Sequence, residues 1–413
     1  MGNSIPETMM ALQLTGVGMD TVELREVEVP RPEADQVLCR VECAAACASD
    51  SKIIDQGPEH SLMHGWDPAK WPVTLGHEGC VTPVEVGRNW QDVIEVGRRY
   101  AVQPAVPSAP SRYRERYANG GRGIRKIAVG YTLPGLFAEY VIIEPEVIGC
   151  SCLLPLPEGD IPHFAAALSE PISCVVAAQQ HSFHIIKDSP ETPRRAELGM
   201  LRGGTTLVLG AGPMGLWHVE IAMSYEPANL IVSEPNDARR ETARRFFGER
   251  ARAAGINLVL TTPDELESVI ADLTGGRGVD DCIVALGIRP IQEKSFDYLG
   301  EGGVTNLFGG VKADDHMISV DARRIHYESI SVVGSSGSDP SDIIETLDMV
   351  ASGRIQPGNY VSAVGGLDAA RDLLQAVREQ RMEGKGIIYP SVRKPLEEID
   401  GWSAEQEKKI LGG

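Results

Sequence analysis

The sequence predicts an α/β protein in which a doubly wound parallel sheet follows a region of many short strands. Three observations carry this. Thr205 to Leu209 is a β-branched, apolar run that ends in Gly210-Ala211-Gly212-Pro213-Met214-Gly215, and a helix-like segment, 216–225, follows at once. From 205 to about 335, short apolar runs alternate with helix-like segments, and such alternation calls for a parallel sheet covered by helices. Residues 9–143 hold short runs punctuated by Gly, Pro and Asp, the pattern of a small, partly closed β-barrel.

The glycine turn has a chemical reading. Gly210 allows the tight turn, Gly212 lets a pyrophosphate approach the backbone, and Gly215 lets the new helix pack close to its strand. The helix that Pro213 and Met214 open offers free N–H groups to phosphates. Glu234 lies 19 residues after Gly215, at the end of the run Leu230 to Ser233. A carboxylate there meets the adenosine ribose hydroxyls and repels a 2′-phosphate, which favours NAD. Arg239 and Arg240 follow within six residues, so NADP stands as the alternative.

Composition narrows the class. The chain has 413 residues, enough for two or three domains, and its 42% hydrophobic content is that of a globular protein. A net charge of −19 argues against nucleic acid and anionic membrane surfaces as partners. No stretch approaches the roughly 20 apolar residues of a membrane span, and the N-terminus shows no secretory signal. Gly2 and Ser4 match a myristoylation signal only in part, because Pro6 stands where Ser or Thr is needed. Eight dispersed cysteines (39, 43, 47, 80, 150, 152, 174 and 282) read as reduced thiols, most of them in the core, and place the protein in the cytoplasm.

In order along the chain, Met10–Leu14, Val22–Val29, Val37–Cys43, Val73–Val86, Arg99–Val102 and Ala138–Ile143 read as strands. Two motifs sit among them: Cys47-Ala48-Ser49-Asp50, and Gly76-His77-Glu78-Gly79, with His77 30 residues after Cys47. Thiolate and imidazole are preferred zinc ligands, and a carboxylate serves as a third. Residues 162–180 read as a helix containing Glu170-Pro171, and 181–203 as a polar connector in which His181 and His184 are three apart. Strands are then expected at 205–209, 230–233, 258–260, 282–285, 304–308 and 330–333. Thr262-Pro263-Asp264-Glu265 has the form of a capping box with Pro at the first helical position. Helical periodicity returns at 340–352 and 367–380, a last strand falls at 386–389, and the charged tail from Lys394 reads as a frayed helix.

Cys47-x-Ser49-Asp50, Gly76-His77-Glu78-Gly79 through Val84-Glu85-Val86-Gly87, Gly135-x-Phe137-Ala138-Glu139-Tyr140, Glu170-Pro171, the glycine turn and Gly384-Lys385-Gly386-Ile387-Ile388 occur in one order. Together they resemble the medium-chain dehydrogenase/reductase superfamily, in its zinc-dependent alcohol and polyol branch. Asp280-Asp281, Arg289-Pro290 and His326-Tyr327 add a likeness to the L-sorbose-1-phosphate reductase type of sugar-phosphate dehydrogenase. The resemblance implies a chaperonin-10-like barrel as catalytic domain (1–180), a Rossmann domain inserted at 181–335, and a return to the catalytic domain at 336–413. It implies one catalytic zinc held by Cys47 and His77, with Glu78 a ligand or near-ligand, and a fourth position open between Glu170 and Cys174. Glu170 is favoured, because the Glu-Pro pair is the polyol form. Ser49 would relay the substrate proton, and Asp50 would hold the His77 tautomer. Leu286 and Ser335 would border the nicotinamide. Homodimers or homotetramers are usual in the family.

One departure stands out. Members with a structural zinc carry four close cysteines between roughly 100 and 130, whereas Gln103 to Tyr131 contains none, so no second zinc is expected. Arg112, Arg114, Arg116, Arg122, Arg125 and Lys126 stand there instead, against the single acid Glu115. They read either as a solvated loop or as guanidinium groups offered to an anion or a neighbouring subunit. The chemistry expected is hydride transfer between a secondary alcohol or ketone of a sugar, polyol or sugar phosphate and a nicotinamide. The alternatives are a zinc-free quinone or enone reductase of the same fold, and a non-catalytic NAD-binding sensor or structural protein.

Overall fold

A computed structural model describes residues 5–312 and 314–412; Gly2 and Ser4 of the myristoylation match, and the terminal Gly413, fall outside this range. The chain forms two compact units, 1–171 with 339–413, and 172–338. The division falls at Pro171, inside the long helix His163–His181. Among the described residues no helix is long and apolar enough to cross a membrane.

In the first unit, Thr8–Leu14 pairs with Val22–Glu28 and Val73–Thr74 in a three-stranded sheet. A larger sheet runs Leu153–Pro155, Tyr100–Val102, Glu78–Val86, Val37–Ala45, Lys385–Tyr389, Val361–Gly366 and Glu397–Glu398, with Tyr140–Ile143 also paired to Val37–Ala45. Its register sets Ala45 opposite both Glu78 and Ile387. The alternating residues Val37, Cys39 and Val41 join Leu12, Leu14, Val81 and Ile388 in the barrel core. The strand beside Val37–Ala45 therefore comes from beyond residue 380, and the sheet is built from both ends of the chain.

The second unit is a six-stranded parallel sheet in the order Asn257–Thr261, Asn229–Ser233, Thr205–Leu209, Val279–Val284, Leu299–Leu307, Ser331–Gly334. In chain order this is the 3-2-1-4-5-6 arrangement of a dinucleotide fold, with the glycine turn at the end of its first strand. Thr205 to Leu209 is buried throughout, which explains its unbroken apolar run.

Four local expectations are corrected. The 181–203 connector contains an antiparallel hairpin, Phe183–Ile186 with Arg195–Leu198, whose second strand is exposed throughout and so shows no buried period. His181 and His184 share no helix face: His181 ends the long helix, whereas His184 lies in the hairpin, where its Nε2 is 2.9 Å from Asp281 Oδ1. Thr262 to Glu265 forms a turn, and the helix begins only at Leu266, because the Thr262 hydroxyl bonds the Glu265 carboxylate rather than a helix N–H. The tail is docked rather than frayed: Ala404–Leu411 is a helix, capped by Ser403, with Glu407 buried.

Candidate metal centre and dinucleotide turn

One helix start organises the first site. Strand Val37–Ala45 ends, and Cys47 takes extended backbone as the N-cap of helix Ala48–Gln56. Its Sγ accepts the Ser49 N–H at 3.5 Å, while the Asp50 carboxylate accepts the Cys47 N–H at 3.0 Å. This reciprocal cap fixes the thiol and leaves the other Asp50 oxygen, Oδ1, 3.0 Å from His77 Nδ1. That bond leaves Nε2 of His77 as the nitrogen available to a metal. Gly76 turns the chain into His77 with φ +94°, where any side chain would also strike the Phe137 nitrogen at 2.8 Å.

Cys47, His77 and Glu78 place one ligand atom each within 4.8 Å of one another. Glu170 lies outside that trio, on the long helix, buried and close enough to sense its charges. Burial and then the neighbouring Glu78 push its carboxyl up to about 7, against the pull of His77 and Lys385. For His77 burial opposes the charged form, yet Asp50 and Cys47 hold its proton affinity well above the usual imidazole range. Ser49 is half-buried in the first helical turn. Cys174 belongs to the other unit, on the far side of Pro171.

Two neighbours were not read from the sequence. Lys385, buried on the last barrel strand, sets its Nζ 2.7 Å and 2.6 Å from the two oxygens of Glu78. Burial works against its charge, but Glu78 raises its proton affinity above the ordinary lysine range. The Tyr131 ring lies 5.7 Å from that of His77, and burial pushes its hydroxyl up to about 12. Lys385 lies in the run Gly384 to Ile388, whereas nothing in the sequence around Tyr131 points to the site. The donor set fits zinc: sulfur, nitrogen and carboxylate oxygen converge, and three acids and the thiol surround His77 and Lys385. A divalent cation is the partner that such a mixed donor set holds.

The second unit presents the glycine turn. A Cβ on Gly215 would sit 2.0 Å from the Gly210 carbonyl oxygen, so the helix Pro213–Ala222 needs glycine to pack so close. A Cβ on Gly212 would meet nothing within 4 Å, which leaves open space before the helix N-terminus. Buried Glu234 accepts N–H bonds from Ala211 at 2.8 Å and Asn236 at 3.0 Å, so its carboxylate is fixed beside the turn. Arg239 approaches Glu234 to 4.0 Å, and Arg240 is engaged by the Glu234 carbonyl and Asp237. Leu286 packs below Gly210, and the buried Ser335 Oγ, just past the last strand, has no hydrogen-bond partner among the described residues. Open space at Gly212, a fixed acid and an orphaned hydroxyl fit a dinucleotide.

The basic segment is resolved into two fixed residues and a remainder. Arg112 bonds Glu33 and Asp35 at 2.8 Å each and reaches Glu144 at 3.4 Å. Arg116 lies over Tyr113 at 4.0 Å and Trp66 at 5.1 Å.

Two family models match the chain: an alcohol dehydrogenase GroES-like domain over residues 33–155 and a zinc-binding dehydrogenase over 213–352. A mannitol-1-phosphate 5-dehydrogenase of Aliivibrio fischeri is 30% identical across 95% of this chain and 89% of its own length. An L-sorbose 1-phosphate reductase of Klebsiella pneumoniae is 28% identical across 94% and 90%. The solved 2R,3R-butanediol dehydrogenase of Bacillus subtilis shares the fold, with a TM-score of 0.72 at 20% identity over 93% of this chain and 100% of that one. The sulfur–nitrogen–oxygen trio, the dinucleotide turn and these matches agree: the chain belongs to the zinc-binding, NAD(P)-dependent dehydrogenases of the medium-chain dehydrogenase/reductase superfamily.

Proposed function

We propose that this enzyme interconverts a secondary alcohol and a ketone on a polyol or sugar phosphate, with NAD as the hydride carrier. The observation that carries the reading is the Cys47, His77 and Glu78 trio, in a chain whose relatives include dehydrogenases and reductases named for mannitol 1-phosphate and L-sorbose 1-phosphate. Cys47 and His77 hold the zinc, Glu170 completes the site, and Glu78, whose Oε1 accepts from Lys385, is a near-ligand. Zinc bound there supplies a Lewis acid that polarises the substrate oxygen. Ser49 takes the substrate proton, and Asp50 keeps His77 in the tautomer that presents Nε2.

Gly210, Gly212 and Gly215, with Pro213 and Met214 opening the helix, receive the pyrophosphate, and Glu234 binds the adenosine ribose. Leu286 and Ser335 border the nicotinamide. The catalytic domain spans 1–180 and 336–413, with the cofactor domain at 181–335. The enzyme works in the cytoplasm as a homodimer or homotetramer. An unpaired sheet edge, Ser331–Gly334 with Val332 half-exposed, supports a subunit contact.

The test is a panel of free and phosphorylated polyols and ketoses run with NAD and NADP while bound zinc is quantified. Turnover confined to phosphorylated polyols, with about one zinc per chain, is the expected result. Turnover of enones or quinones by metal-free protein would sink the reading.

A further inference from the structure

The long helix His163–His181 begins without a local cap. The Pro162 side chain offers no acceptor, and the first helical N–H groups have no partner in their own helix. Their acceptor arrives from the tail. Glu407 takes the His163 N–H at 2.8 Å on one oxygen and the Phe164 N–H at 2.9 Å on the other. Tyr389 donates its hydroxyl to the same carboxylate at 2.9 Å, and Trp402 Nε1 donates to Tyr389 at 2.7 Å. Glu407 is only 3% exposed, and Lys408 pairs with Asp160 just ahead of the helix. A buried carboxylate with three donors at a helix N-terminus is fixed by hydrogen bonds and favoured by the helix dipole.

Glu170 stands seven residues along that helix from His163, about 10 Å at 1.5 Å per residue. Lys385 and Tyr389, four apart on one strand, point to the same face. One short strand thus holds Glu78 at one end and the Glu407 cap at the other.

We infer that Glu407 is a positioning residue for the metal centre: by capping the long helix from the tail it sets where Glu170 stands, an inference that rests on the ligand role given to Glu170 above. Glu407 touches neither substrate nor metal. Its effect passes through the helix, so the 10–100-fold in metal affinity typical of groups bonded directly to a metal ligand is its upper bound.

The experiment measures zinc affinity of the full chain by chelator competition, alongside thermal melting, for E407A, E407Q and Y389F. Each is made in the native sequence and in an E170A background. E407A is expected to weaken zinc binding about tenfold. E407Q, which keeps one accepting oxygen and sets an NH2 donor in place of the other, should recover part of that loss. Y389F, which leaves the cap in place, should shift affinity a few-fold and remains informative if E407A does not fold. With E170A present, each effect should shrink to less than about twofold, since the group being positioned is gone. Weakening of equal size in both backgrounds would mean a general structural effect and would overturn the positioning role. So would E407Q and Y389F variants that melt earlier yet bind zinc normally while E170A binds it poorly. Unchanged zinc affinity in E170A would overturn the ligand role of Glu170 and the inference together.

Discussion

The metal centre and the basic lobe hold their carboxylates in opposite ways. At the centre, Asp50 pairs with His77, Glu78 pairs with Lys385, and Glu170 is buried beside them with its carboxyl raised to about 7. In the lobe, Glu33, Asp35 and Glu144 converge on Arg112, which balances them with a group of the chain itself. Members of the family with four cysteines in this lobe staple it with a second zinc. Here Arg112 joins three acids, and Arg116 lies over Tyr113 and Trp66. The contrast teaches where an ion is indispensable: a staple needs only charge and geometry, which arginine supplies, whereas chemistry needs a Lewis acid.

Four substitutions sharpen or break that contrast. The largest effect is expected from Cys47→Ala, which removes the sulfur ligand. Zinc measured by mass spectrometry should be lost, and kcat/KM should fall roughly 10³-fold or more, since the metal is worth several kcal/mol. Full activity without zinc would erase the distinction between the regions. Next comes Lys385→Met, which leaves Glu78 buried and unpaired. Chemical denaturation should show a loss of about 3–5 kcal/mol, most of it restored by adding Glu78→Gln.

Arg112→Gln should cost about 1–2 kcal/mol, because its partners are partly exposed, and should leave zinc content untouched. It should also change the response to acid. Hydrogen bonding to Arg112 holds Asp35 below the ordinary aspartate range despite its small burial cost. A carboxylate depressed in the folded state stabilises it above the unfolded pKa and loses that contribution as pH falls through the folded one. The native protein should therefore lose stability below about pH 4 more steeply than the R112Q variant. Parallel acid limbs would show that Arg112 is not what holds Asp35. The smallest effect belongs to Arg116→Lys, which trades a stacked guanidinium for an ammonium and should lower the melting free energy by about 0.5–1 kcal/mol.

What could be read in advance followed how locally each feature is encoded. The glycine turn, Glu234 and the Cys47 and His77 motifs depend on a few adjacent residues, so their types and spacing carry the chemistry. Lys385 is 307 residues from Glu78, and only the folded register brings them together. Tyr131 beside His77 is likewise a product of packing. The tail misled because glutamate in a charged run normally faces solvent, whereas Glu407 is buried by three donors. Thr262 misled because a capping box has meaning only where the helix begins, and this one begins at Leu266. The hairpin at 183–198 left little trace, since one of its strands buries nothing.

Barrel closure by Lys385–Tyr389 has a consequence for synthesis. Glu78 leaves the ribosome 307 residues ahead of the lysine that pairs with it, and strand Val37–Ala45 waits longer still for its neighbour. During that interval the nascent barrel carries an open edge and an unpaired acid, while residues 172–338 emerge as a compact unit of their own. A chain that stops before residue 385 has neither the neighbour of strand Val37–Ala45 nor the counter-charge of Glu78.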